Sequence, residues 1–155
     1  MSLIKRVLVA FDGSKGSMDA LRQGIDLKKE GLKIELTVVH VVKADPDPAF
    51  LTVAAVPPDL QRGEMIREFN KREIIKQGEQ TVNHARKVLN QERVDAQNII
   101  LEGEPAKQIC DHAQEKEFDL IIIGNQGLNK LDKMVQGSVS QRVSQHSNCS
   151  ILVVK

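Results

Sequence analysis

Residues 118–138 read FDLIIIGNQGLNKLDKMVQGS, and this stretch decides how the rest of the chain is read. Phe118 to Ile123 is the most apolar short run in the sequence, Gly124 ends it, and Gly137-Ser138 opens a segment with helical spacing. A Leu and Ile strand with no polar face must be covered on both sides, which is the condition of a parallel sheet between two helix layers.

The same alternation extends in both directions. Upstream, Ile4 to Phe11 is a strand apolar on both faces, stopped by Asp12-Gly13-Ser14. Met18, Leu21 and Ile25 then recur at helical spacing, with Ser14 or Ser17 able to cap a helix that ends near Gly31. Lys33 to Val42 is the second strand, and Gln97 to Leu101 the third. Between them, Asp59 to Gln91 is patterned as a helix, with a bend expected near Gly78. Gly103-Glu104-Pro105 precedes a further helix bearing Ala106, Ile109, Cys110 and Ala113 on one face, with Pro105 suited to its first turn. Downstream, Ser138 to His146 is a short helix and Ser150 to Val154 the last strand. Strand and helix in strict alternation imply right-handed crossovers and an α/β fold with an open, doubly wound parallel sheet, helices on both faces.

Lys43 to Pro58 breaks this rhythm. It holds four of the five prolines, which cannot donate ladder hydrogen bonds, so it is expected to be a long loop. Its run AFLTVAAV (49–56) is apolar enough to tuck against its own domain or fold into a short helix, with a lid or partner surface as the alternative. With 155 residues and no second-domain linker, residues 1–155 are expected to form a single domain.

Composition removes several function classes. Lys plus Arg (22) nearly cancel Asp plus Glu (21), which argues against a sequence-blind nucleic-acid binder. Trp and Tyr are absent, leaving few platforms for stacked bases. Cys110 and Cys149 lack zinc or redox spacing and are expected to be buried thiols. No signal peptide or uncharged run of membrane-spanning length is present, so the expectation is a soluble, cytoplasmic protein that binds neither nucleic acid nor membrane.

In open sheets of this class ligands bind outside the carboxyl ends of the strands, where strand order reverses. The richest post-strand segment is Gly124-Asn125-Gln126-Gly127, nine residues, then Gly137-Ser138. Glycines allow close approach of backbone N–H groups, and a helix N-terminus adds donors and about half a positive charge, a combination suited to phosphate. Gly13-Ser14-Lys15-Gly16-Ser17 lacks the G-x4-G-K-S/T spacing of a P-loop and reads as a turn and cap. His84, His112 and His146 fall in helical stretches without triad partners, and His40 lies near the cleft by pattern, with packing as its expected role.

The G-x2-G-x9-G-S spacing from Gly124 to Ser138, closed by the terminal ILVVK, resembles the universal stress protein family. Val9-Ala10-Phe11-Asp12-Gly13-Ser14, His40-Val41-Val42 and Gly103-Glu104-Pro105-Ala106 are similar to the same family. The resemblance implies five parallel strands in the order 3-2-1-4-5 and a nucleotide, usually ATP, between the ends of the first and fourth. In its ATP-binding branch, the resemblance places Asp12 by the ribose, Val41 at the adenine edge, and Gly124, Gly127, Gly137, Ser138 and Val139 around ribose and phosphates, with Ala10 and Gln126 as further nucleotide-binding positions. It also implies a homodimer, and Ser150 to Val154, apolar on both faces and expected at a sheet edge, is where it would pair.

Gln126 departs from the His or Arg common in relatives at that position, which lowers the expected phosphate affinity. Lys130 and Lys133 could compensate, although solvated surface lysines are the simpler reading. Mg or Mn is expected only in company with the triphosphate, with Ser138 as its side-chain contact. Asp12 is expected at a ribose hydroxyl, with a turn amide as the alternative; no acid cluster accompanies it as a phospho-receiver would require. The function expected is a nucleotide-dependent regulatory module of the stress response. Two alternatives remain open, a slow ATPase or phosphotransfer enzyme and a dimeric interaction module with no nucleotide.

Overall fold

The computed structural model describes residues 3–31, 33–43, 63–125 and 137–155, with only the backbone of 63–67, 69 and 70. Its elements run β1 (Arg6–Ala10), α1 (Lys15–Lys29), β2 (Glu35–Val42), α2 (Gly63–Gln91), β3 (Gln97–Glu102), α3 (Pro105–Glu115), β4 (Leu120–Gly124), α4 (Ser138–His146) and β5 (Ser150–Val154). The strands form one sheet in the order β3-β2-β1-β4-β5, and all four pairings are parallel. Val9 in the central strand lies opposite Val38 on one side and Ile122 on the other.

The period of two along each strand sorts the core into two layers. Val7, Val9, Leu36, Val38 and Ile122 pack with Leu21 and Ile25 of α1 and with Ala85 and Leu89 of α2. On the opposite face Leu8, Val39, Ile121 and Ile123 meet Ala106 and Ile109 of α3 and Val143 of α4. Leu8, Leu21 and Ile121 are completely shielded, each contributing about 1.5–3 kcal/mol by leaving water.

Local chemistry sets the element ends. Ser14 caps α1, its Oγ accepting from Ser17 N at 3.2 Å, and Gly31 ends that region at φ +85°. Glu104 caps α3, accepting from Ala106 N and Lys107 N at 3.3 and 2.8 Å, with Pro105 in the first turn as expected. At the amino ends of the strands, Asp119 Oδ2 accepts from Lys5 N and Arg6 N, both at 2.8 Å, fastening β4 to β1. These two donors hold its carboxyl below the usual carboxylate range.

Helix α2 is continuous through Gly78, whose missing side chain serves packing: a Cβ there would lie 2.8 Å from Val42 Cγ1. The cysteines need correction. Cys110 and Cys149 are half-buried, not buried, because the α3 and pre-β5 positions they occupy flank the second core layer instead of entering it. Burial nonetheless pushes the Cys110 thiol up. The expected loop lies outside the described residues except for Lys43. No helix among the described residues is long and apolar enough to cross a membrane.

Candidate functional site

After β1 the chain crosses over one face of the sheet through α1, and after β4 it crosses the other face through α4. The two connections part at the carboxyl ends of these adjacent strands, and a crevice opens there. It measures about 360 Å³ and gathers Ala10, Asp12, Val41, Gly124, Gly137, Ser138 and Val139 around one space. Gln126 and Gly127, like Lys130 and Lys133, lie outside the described residues. Val39, Val41, Ile109 and Pro105 make part of the wall apolar, while Asp12 and Ser138 bring polar groups to it.

Three helix N-termini reach this cleft, and their caps differ. At α1, Ser14 serves the first-turn amide of Ser17, and Ser14 N itself donates to Asp12 Oδ1 at 2.8 Å. At α3, the Glu104 carboxylate already neutralises the helix end. At α4 the cap is Gly137, which has no side chain to offer. Among the described residues nothing accepts from the first-turn N–H groups of Ser138 and Val139, and both residues line the cleft. An uncapped, nine-residue helix aimed at a cavity can receive an anion.

The glycines divide differently from the sequence expectation. Gly137 N donates to Asn125 O at 2.6 Å, and Ser140 Oγ reaches the same carbonyl at 3.2 Å. That amide is therefore spent on joining the end of β4 to the start of α4. A Cβ at Gly137 would approach Asn125 O to 2.9 Å, and one at Gly124 would come within 2.5 Å of the Gly16 carbonyl carbon. Both glycines permit backbone-to-backbone contact inside the protein. The donors left facing the cleft at this end belong to Ser138 and Val139.

Asp12 occupies the turn role that the sequence left as the alternative, because Oδ1 accepts from Ser14 N while Asp12 N donates to Ser17 Oγ at 3.2 Å. No described residue donates to Oδ2, which remains able to accept from a ligand. His40 also lines the cleft. Its Nδ1 meets the Phe11 carbonyl at 2.8 Å; since a carbonyl only accepts, Nδ1 carries the hydrogen and Nε2 of the neutral ring is an acceptor. Its position two residues before the end of β2 was the signal for this proximity. Asn125, within the glycine segment singled out after β4, reaches the cleft as well, as do Ser17 and Lys43, which sequence reasoning did not place there. Among the described residues no group of three or more His, Cys, Asp or Glu side chains could hold a metal ion.

An open parallel sheet with its crevice at the reversal of strand order defines a doubly wound α/β ligand-binding class. The chain belongs to the universal stress protein family, whose sequence model, described as Universal stress protein family, matches residues 3–155. It is 34% identical over 153 residues to Universal stress protein YxiE of Bacillus subtilis, covering 99% of this chain and 100% of that protein. The solved structure of hypothetical protein MJ0577 has the same fold, with a TM-score of 0.78 at 23% identity over 99% of this chain and 97% of that one. So does the universal stress protein from Archaeoglobus fulgidus in complex with dAMP, with a TM-score of 0.65 at 20% identity over 99% and 100%. The Arabidopsis thaliana family protein At3g01520 with AMP bound gives a TM-score of 0.66 at 15% identity over 97% and 91%.

Proposed function

We propose that residues 1–155 form one adenine-nucleotide-binding domain, with ATP as its ligand, that acts as a regulatory module of the stress response in the cytoplasm. The observation that carries this reading is the uncapped start of α4, whose Ser138 and Val139 N–H groups open into the cleft between β1 and β4. Structures of the same fold with AMP and dAMP support adenine as the base.

In this reading the apolar wall at Val41, Pro105 and Ile109 takes the base, and Asp12 Oδ2 accepts from a ribose hydroxyl. The α4 amides receive phosphate oxygens, with Gln126 and Gly127 completing that end. Gly137 contributes by holding α4 against Asn125. Mg or Mn would arrive on the triphosphate and meet the Ser138 hydroxyl. The exposed edge at β5 is where a second copy would pair, making a homodimer through Ser150 to Val154.

Thermal unfolding with and without Mg-ATP tests the reading. Nucleotide at about a hundred times its dissociation constant should stabilise the protein by about 2.7 kcal/mol. An unchanged melting curve, together with no adenine nucleotide released from freshly purified protein by heat, removes it.

A further inference from the structure

Beside the cleft, between the starts of α3 and α4, lies an ion pair placed where it bears on charge. Arg142 Nη1 donates to Glu104 Oε1 at 2.9 Å, joining residues 38 positions apart in the chain. Glu104 immediately precedes Pro105, which lines the cleft, and Arg142 lies one helical turn beyond Ser138, which lines it too. Residues at this spacing share a helix face, and side chains lean toward the helix N-terminus, so Arg142 extends back toward the uncapped end of α4.

Glu104 is held in place by its own helix. Both of its carboxylate oxygens accept first-turn amides of α3, so the negative charge cannot leave the neighbourhood of the cleft. Lys107, in the first turn of α3, is paired with Asp111 at 2.5 Å. Lys43 stands across the cleft after β2, and Asp12 is fixed in its turn after β1. Among the described residues, Arg142 is the side chain that forms an ion pair with Glu104.

Resting on the nucleotide-binding reading above, we propose that the Glu104–Arg142 pair sets how many phosphates the cleft accepts. With both charges present the pair adds no net charge, and a polyphosphate meets no net repulsion from it beside α4. Without Arg142 the fixed carboxylate opposes every added phosphate charge; without Glu104 the guanidinium attracts each one. Exposed charges interact within about a Debye length, ~10 Å at 0.1 M salt and ~30 Å at 0.01 M, so the effect is read at low salt. The ratio of ATP to AMP affinity reads this directly, because base and ribose contacts cancel between the two ligands.

Titration calorimetry with AMP, ADP and ATP at low salt tests the proposal on the full chain. Arg142→Gln should lower the ATP-to-AMP affinity ratio by about 3- to 10-fold, and Glu104→Gln should raise it by a similar factor. The double variant, again neutral, should return within about 2-fold of the unaltered protein, as should Arg142→Lys. Both single effects should shrink at 0.5 M salt, which loss of a purely structural tie would not do. Arg142 is half exposed, so Arg142→Glu is a second readable variant should Glu104→Gln fold poorly, and it should depress the ratio further than Arg142→Gln. The proposal is overturned if the ratio stays constant across the single variants or moves the same way in both. Constant ratios with nucleotide still bound sink this proposal alone; no binding of any of the three by the unaltered protein sinks the nucleotide reading with it.

Discussion

Gly124 at the end of β4 and Gly16 in the first turn of α1 lie so close that a Cβ on Gly124 would fall 2.5 Å from the Gly16 carbonyl carbon and 2.6 Å from its oxygen. Both obstacles are backbone atoms and cannot rotate away. Gly124→Ala must therefore push α1 off the sheet or strain the strand end, at a cost of about 1–3 kcal/mol. In a chain of this size that lowers the melting temperature by about 2–12 °C, which thermal unfolding without any ligand would register. An unchanged melting temperature would mean that strand end and helix stand further apart in solution. The practical consequence is that nucleotide loss in this variant reports packing, so it is a poor probe of phosphate binding.

Asp12 offers a cleaner separation of roles. Its Oδ1 accepts from Ser14 N in the turn, and its Oδ2 has no donor among the described residues. Asp12→Asn keeps an oxygen for the turn but puts an amide where a ribose hydroxyl would donate. Asp12→Ala removes both. The Ala variant should lose about 0.5–1.5 kcal/mol of stability in urea unfolding and the Asn variant less than half of that. Both should weaken nucleotide binding. Equal stability losses would show that the turn does not depend on this hydrogen bond.

At the opposite end of the sheet, Asp119 makes stability depend on acid. Its carboxyl titrates below the usual carboxylate range because Lys5 N and Arg6 N donate to it, aided by the charges of those two residues. The unfolded chain then binds a proton more readily than the folded one. The stability is present above the unfolded value near 4 and is lost as pH falls through the lower folded value. Urea midpoints between pH 7 and pH 2 should therefore fall more steeply for the unaltered protein than for Asp119→Asn, with the two curves meeting at the acid end. Parallel curves would exclude the carboxylate as the cause.

What could be read from the sequence follows the range of the interactions involved. Ser138 to His146 and Ser150 to Val154 have the bounds expected, since local apolar spacing and the Gly137-Ser138 start suffice to define them. Pro105 and the Glu104 beside it also gave the start of α3 without tertiary information. The sheet order and cleft position follow from strand alternation and the crossover rule once the family resemblance is added. The duties of individual glycines did not follow. Whether Gly124 faces a ligand or Gly16 depends on how α1 packs, and Gly137 N finds Asn125 O only after β4 and α4 have been brought together. Spacing shows where glycine is needed; the three-dimensional contact shows what it makes room for.

The β5 edge yields the last prediction. Among the described residues the strand pairs with β4 on one side only, and it carries Leu152 38% exposed between the half-buried Ile151 and Val153. An exposed strand edge with apolar side chains is a template for another strand, and a charge on such an edge blocks pairing. Leu152→Lys should therefore convert a homodimer to a monomer in sedimentation at micromolar concentration. It should leave thermal stability of the separated chain nearly unchanged, because position 152 already meets solvent. The cleft lies between β1 and β4, one strand further in, so nucleotide affinity per chain should survive the conversion. A variant that stays dimeric would move the interface away from this edge, and an unaltered protein that sediments as a monomer would remove the homodimer altogether.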